Sequence, residues 1–161
     1  MNDHVNRISA LQGMLILVLL TTGCSGPDSW KVRTHKTSGN ITINGAHPVN
    51  AMIILKSIGD PIDTRHSQPW GEVGQDGTYQ LTTYQTNDGA PAGTYAITLF
   101  WPSSPGSDID RLKEQFDSIE NAVAQVEIKS GNNTIPDIKL EGVKLSEPTS
   151  KREPHDQQEI R

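Results

Sequence analysis

From Gly39 onward the chain is cut into short pieces by clusters of turn-forming residues, and this spacing restricts the fold more than any other feature of the sequence. "NGAHP", "GQDG", "QTNDGAPAG", "PSSPGS" and "SGNN" recur along residues 44–133. Glycine supplies positive φ angles in such clusters, Asn and Asp bond to nearby backbone, and proline ends a hydrogen-bonded ladder. The pieces between them are too short for ordinary helices and most alternate in polarity as half-buried strands do.

Ile41 and Ile43 alternate with Asn40, Thr42 and Asn44, and Met52 to Leu55 forms the continuous apolar run of a fully buried strand. Trp70 to Val73 leads into "GQDG", where Asp76 and Gly77 favour a hairpin, and Thr78 to Tyr84 leaves it with Tyr79 and Leu81 on one face. Tyr95, Ile97 and Leu99 give the clearest alternation, and Ala124, Val126 and Ile128 give another. Thr134 to Leu140 is the last strand, placed at an edge by Pro136. One segment changes period. Ile109, Leu112, Phe116 and Ile119 fall at helical spacing with Ser107 available as the cap, which predicts a short amphipathic helix over residues 108–119. About seven strands and one helix fit a two-sheet antiparallel sandwich, with a barrel as the alternative.

Composition narrows the rest. A chain of 161 residues with a single cysteine has no intramolecular disulfide, so the fold depends on its own core. A net charge of -5, with Lys and Arg scattered, argues against a nucleic-acid binder, which presents a basic patch to phosphates. Residues 146–161 have almost no apolar content and read as a disordered tail, and residues 24–38 read as a tether in which Trp30 is the apolar exception.

The lone cysteine follows the apolar run "MLILVLL", Met14 to Leu20, which is short of the roughly 20 residues that cross a bilayer. The run reads as the core of a signal peptide spanning residues 1–23. Leu20-Thr21-Thr22-Gly23-Cys24 resembles the bacterial lipobox, with Thr21 where that family has leucine and Leu20 one residue further back. The resemblance implies cleavage before Cys24, lipid on its thiol, and an exported protein held on a membrane, with Ser25 favouring an outer membrane by analogy with lipoprotein sorting. Two or three acyl chains anchor stably where one does not.

The stretches "GNITINGAHPVNAMIIL", "GEVGQDGTYQLTTYQTNDGAPAGTYAITLFW" and "VEIKSGNNTIPDIKL" carry a second resemblance, over Gly39 to Leu140. They are similar to the carboxypeptidase-regulatory-like, transthyretin-like sandwich of small planctomycete lipoproteins. Gly77 and Gly93 stand at its turn glycines, and Tyr79 and Tyr95 at its buried tyrosines. "RLKEQF" replaces a basic stretch found in many relatives. The resemblance implies an all-β Ig-like or transthyretin-like sandwich over residues 39–145 and does not imply an activity.

Chemical signatures are sparse. Hydroxyisourate hydrolase shares the fold but ends in "YRGS", where this chain has "PDIKLEG". His35, His47 and His66 lack the spacing of an intradiol dioxygenase iron site, and the aspartates form no calcium-loop pattern. Ser103 and Ser104 lie outside any nucleophile elbow. No catalytic, cofactor or metal residue is assigned, and the chain reads as non-enzymatic. Trp70, beside the long polar loop from Ser57 to Pro69, is the candidate ligand or partner surface, whereas Trp101 continues a core face. The expected function is an anchored module for protein interaction or envelope structure, with the Pro136 strand or its neighbour as the sheet edge for strand addition. The alternative is a surface module binding carbohydrate or peptide, and a transthyretin-like hydrolase is a distant third. Partners are the membrane, through Cys24, and another envelope protein.

Overall fold

The computed structural model describes residues 28–147. The signal-peptide segment, Cys24 and residues 148–161 lie outside the described residues. Ten strands follow in chain order. They are β1 (Thr34–His35), β2 (Thr37–Ile43), β3 (Met52–Ser57), β4 (Trp70–Glu72), β5 (Thr78–Gln80), β6 (Ala90–Pro91), β7 (Gly93–Phe100), β8 (Ala124–Ile128), β9 (Asn133–Thr134) and β10 (Ile138–Leu140). One sheet has the order β10-β2-β5 with β9 also on β2, the other has the order β4-β3-β7-β8, and β1 and β6 form a separate ribbon.

The alternation in sequence becomes the inner faces of a sandwich. Ile41, Ile43, Tyr79 and Leu81 from one sheet share a buried cluster with Ile53, Leu55, Tyr95, Ile97 and Leu99 from the other. Each such side chain contributes about 1.5–3 kcal/mol on burial, which stands in for the cross-links the chain lacks. β7 is buried on both faces from Tyr95 to Leu99. β3 is not the fully buried strand that its apolar run predicts, since Ile53 and Leu55 are buried while Met52 and Ile54 are half-exposed.

The two sheets are joined along one side. Trp70 N donates to Thr82 O at 2.9 Å and Thr82 N to Trp70 O at 2.7 Å, and Gly74 N donates to Thr78 O at 2.8 Å. The predicted turn between these strands forms with Gly77 at φ 81. Asp76 Oδ1 accepts from Thr78 N at 3.0 Å and from its hydroxyl at 2.7 Å. On the opposite side β8 pairs with β7 and β10 with β2, and neither pairs with another described strand.

Several expectations need correction. The all-β sandwich is as expected, but the described residues form ten strands rather than about seven, and the sheets are mixed rather than all antiparallel, because β9 and β10 both run parallel to β2. Pro136 splits the predicted last strand into these two pieces. The helix predicted over residues 108–119 is absent. Its cap forms, with Ser107 Oγ accepting from Ile109 N at 3.1 Å, but Asp110 then takes Trp101 N, Leu112 N and Glu114 N on its carboxylate. Those side-chain bonds replace a helical ladder, and Lys113 and Glu114 take positive φ angles of 55 and 59. Sheet pairing starts at Thr34, inside the segment read as a tether, and Ser146 N still donates to Arg111 O at 2.9 Å at the start of the predicted tail.

Candidate functional site

Trp70 opens β4 at the seam between the sheets, paired to Ile54 in β3 and to Thr82 beyond β5. It is 40% exposed, and the other two tryptophans are engaged. Trp101 donates its indole N–H to Val49 O at 3.1 Å beneath the Arg111 guanidinium, 4.1 Å from the ring centre. Trp30 packs back on the domain, edge-on to Tyr84 at 5.3 Å and covered by Arg65 at 4.0 Å. Trp70 heads a shallow cleft of about 330 Å³ whose lining includes Glu72, Thr78, Gln80, Thr82 and Asn87.

This cleft continues onto the outer face of the β9–β2–β5 sheet. Strand register places Thr134, Ser38 and Gln80 in one cross-strand row and Asn40 and Thr78 in the next. These five side chains are neutral donors and acceptors. A second cleft of about 400 Å³ is lined by them together with Tyr79 and Asp137. Tyr79 is 2% exposed, and its hydroxyl has no hydrogen-bond partner among the described residues. Its ring and hydroxyl occupy the space that a Cβ on Gly39 would need, so only glycine at position 39 admits it. Burial, followed by the Asp137 charge, pushes the Tyr79 phenol well above its ordinary range.

A third surface lies at the open side of the sandwich. Ala124 and Val126 of β8 face Ile135, Pro136, Ile138 and Leu140 across a cleft of about 340 Å³. Gln125 and Lys139 also line it, and Glu127 and Lys129 pair at 3.2 Å on the β8 side. Pro136, expected within an edge strand, lies instead in the connection between β9 and β10.

The other polar groups singled out in the sequence serve the backbone. The loop from Ser57 to Pro69 closes on Asp63, which accepts from Arg65 N at 2.8 Å, Ser67 N at 3.1 Å and the Tyr84 hydroxyl at 2.8 Å. Burial alone would raise the Asp63 pKa, but the bonds from Ser67, Tyr84 and Arg65 outweigh it and hold it at about 2. Asp88 accepts from Thr83 N at 2.7 Å and from Tyr84 N and Gln85 N at 3.1 Å. His35 Nδ1 accepts from Gly131 N at 3.1 Å, and Ser103 and Ser107 share a hydroxyl contact of 2.9 Å. Among the described residues no group of three His, Cys, Asp or Glu is arranged to hold a metal ion.

Sequence reasoning singles out Trp70, which is exposed, but misses β8 as the opposite lip of the open side, and it misses the approach of the Asp137 charge to Tyr79. Both depend on which strands become neighbours, and the crossing from β8 to β9 between sheets leaves no periodic trace.

No family model matches the chain, and no curated protein matches it. Among solved structures it is similar to a DUF3823 family protein from Parabacteroides merdae, at 18% identity and TM-score 0.39 over 71% of this chain. The chain covers 48% of that protein, about half its length. It is also similar to Klebsiella pneumoniae 5-hydroxyisourate hydrolase, at 16% identity and TM-score 0.35, covering 74% of this chain and 98% of the other.

Proposed function

We propose that the chain is an exported, lipid-anchored, non-enzymatic β-sandwich module that docks an extended segment of another envelope protein along its open side. The observation that carries this reading is that β8 and β10, each paired with another strand on one side only among the described residues, lie across one apolar cleft. An edge strand offers a row of outward N–H and C=O groups to a partner strand, and alternate side chains of that partner enter the adjoining pocket. Ala124, Val126, Ile138 and Leu140 supply the apolar walls. Asp137 and Lys139 at the cleft, and the exposed Glu127 and Lys129 at the end of β8, discourage indiscriminate edge pairing. The lipobox-like residues ending in Cys24 supply the address.

A photo-crosslinking residue placed at Gln125, exposed on β8, tests the docking in intact cells, with Glu72 on the far strand β4 as the comparison. A discrete protein adduct from position 125 and none from position 72 is expected. Adducts to lipid alone from position 125, or equal adducts from both positions, would overturn the reading. For the anchor, Cys24→Ser is expected to abolish acyl-chain labelling and release the protein from membranes. Retained membrane attachment in that variant would remove the lipid from the proposal.

A further inference from the structure

We propose that the cleft between Trp101 and the connection from β2 to β3 binds a small organic carboxylate, held by the Arg111 guanidinium. The cleft measures about 270 Å³. An arginine lying over an indole is ordinary packing and no signal by itself. Two independent observations set this one apart. The first is its charge. Arg111 is half-buried and has no ion pair among the described residues. The neighbouring Asp110 carboxylate is taken up by Trp101 N, Leu112 N and Glu114 N. No Asp or Glu lines the cleft, although the chain carries a net charge of -5. An anion from outside supplies the counter-charge that the fold leaves out.

The second observation is preorganisation. Pro102 bridges to Asp110, and Arg111 N donates to Trp101 O at 2.8 Å, which sets the guanidinium 4.1 Å from the indole centre. Arg111 Nε donates to Ser146 O at 3.4 Å, and the two terminal amino groups have no acceptor among the described residues. A planar fork fixed in this way matches the two oxygens of a carboxylate and loses little freedom on taking them up.

The remaining walls set the class of acid. Val49, Pro102 and Pro105 are apolar, whereas the Asn50 amide and the Ser104 hydroxyl offer polar contacts at the margin. His47 lines the opposite rim, but it rests against Gly77 with the Asp76 charge near it, which leaves Arg111 as the cation for the ligand. One cation suits a monoanion, whereas a phosphate group brings a charge of about −1.5 to −2. A neutral apolar ligand would cover the guanidinium without pairing it. The volume is below the roughly 300–1,000 Å³ of sites for drug-sized ligands, so the acid is compact.

The test titrates the full-length protein calorimetrically, against a detergent-only blank, with benzoate and cyclohexanecarboxylate. Benzamide is the neutral comparison and inorganic phosphate the compact anion. At least one of the two carboxylates is expected to bind at millimolar concentration or below, about tenfold more tightly than benzamide and more tightly than phosphate. Arg111→Gln should weaken the carboxylate about tenfold, and Ser104→Ala about threefold with an unchanged melting temperature. The comparison with benzamide needs no variant, so it holds even where Arg111→Gln loosens the contact with Ser146. Absence of binding by both carboxylates, equal affinity for benzamide or phosphate, or wild-type affinity in Arg111→Gln would overturn the proposal. The outcome is independent of crosslinking at Gln125, which lines a different cleft.

Discussion

Asp63 shows how a single carboxylate organises a loop that has no regular structure. It is 8% exposed, and its charge is held by donors from Arg65, Ser67 and Tyr84. Its pKa lies at about 2, below the ordinary 3.8, so its stabilisation is complete above the higher value and is lost as pH falls through the lower one. Asp63→Asn should cost about 1–2 kcal/mol near neutrality and should flatten the loss of stability between those two pKa values, as measured by urea melts across pH. At position 39 the constraint is volume rather than charge. Gly39→Ala places a methyl group on the Tyr79 ring and should destabilise by about 1–3 kcal/mol in the same assay. Wild-type stability in that variant would mean that Tyr79 can leave its place over Gly39.

At the scale of elements, the segment after β7 shows where sequence periodicity misleads. Leu112 is buried, but Ile109 and Ile119 are 52% and 41% exposed, so four apolar residues at helical spacing do not share one buried face. The segment instead runs along β7, with Leu99 N donating to Phe116 O at 2.9 Å and Arg111 N to Trp101 O at 2.8 Å. Asp110 holds it there, and Asp110→Ala should destabilise the protein by about 1–3 kcal/mol in a denaturant melt while Asp108→Ala changes little. Most of the sandwich is legible in the amino-acid sequence alone, since Ile41, Ile43, Tyr79, Tyr95 and Leu99 announce their inward faces by alternation. The helix is misread because a carboxylate that bonds three amides has the same one-letter signature as a helix-start charge. The parallel entry of β10 beside β2 is illegible because strand direction depends on the path between sheets rather than on side-chain pattern. Trp70 stands out in the sequence as a lone aromatic beside a polar loop, but the rows next to it become visible only with the register of β2 against β5 and β9.

For the molecule as a whole, the N-terminal segment is gripped before it reaches the sheets. Trp30 stands against Tyr84 and beneath Arg65, and Val32 N donates to the Tyr84 hydroxyl at 3.3 Å. Trp30→Ala should speed tryptic cleavage at Lys31 and Arg33 severalfold while shifting the melting temperature little, because the indole lies outside the core cluster. Equal cleavage rates would show that β1 alone holds the segment. The parallel pairing of β2 with β10 has a mechanical consequence. The chain enters β2 at Thr37 and leaves β10 at Leu140, so tension between its two ends pulls the paired strands from opposite termini. The bonds between them are then loaded together in shear rather than peeled one by one. A domain tethered at one end and tugged at the other would resist being pulled open along its most direct line of force.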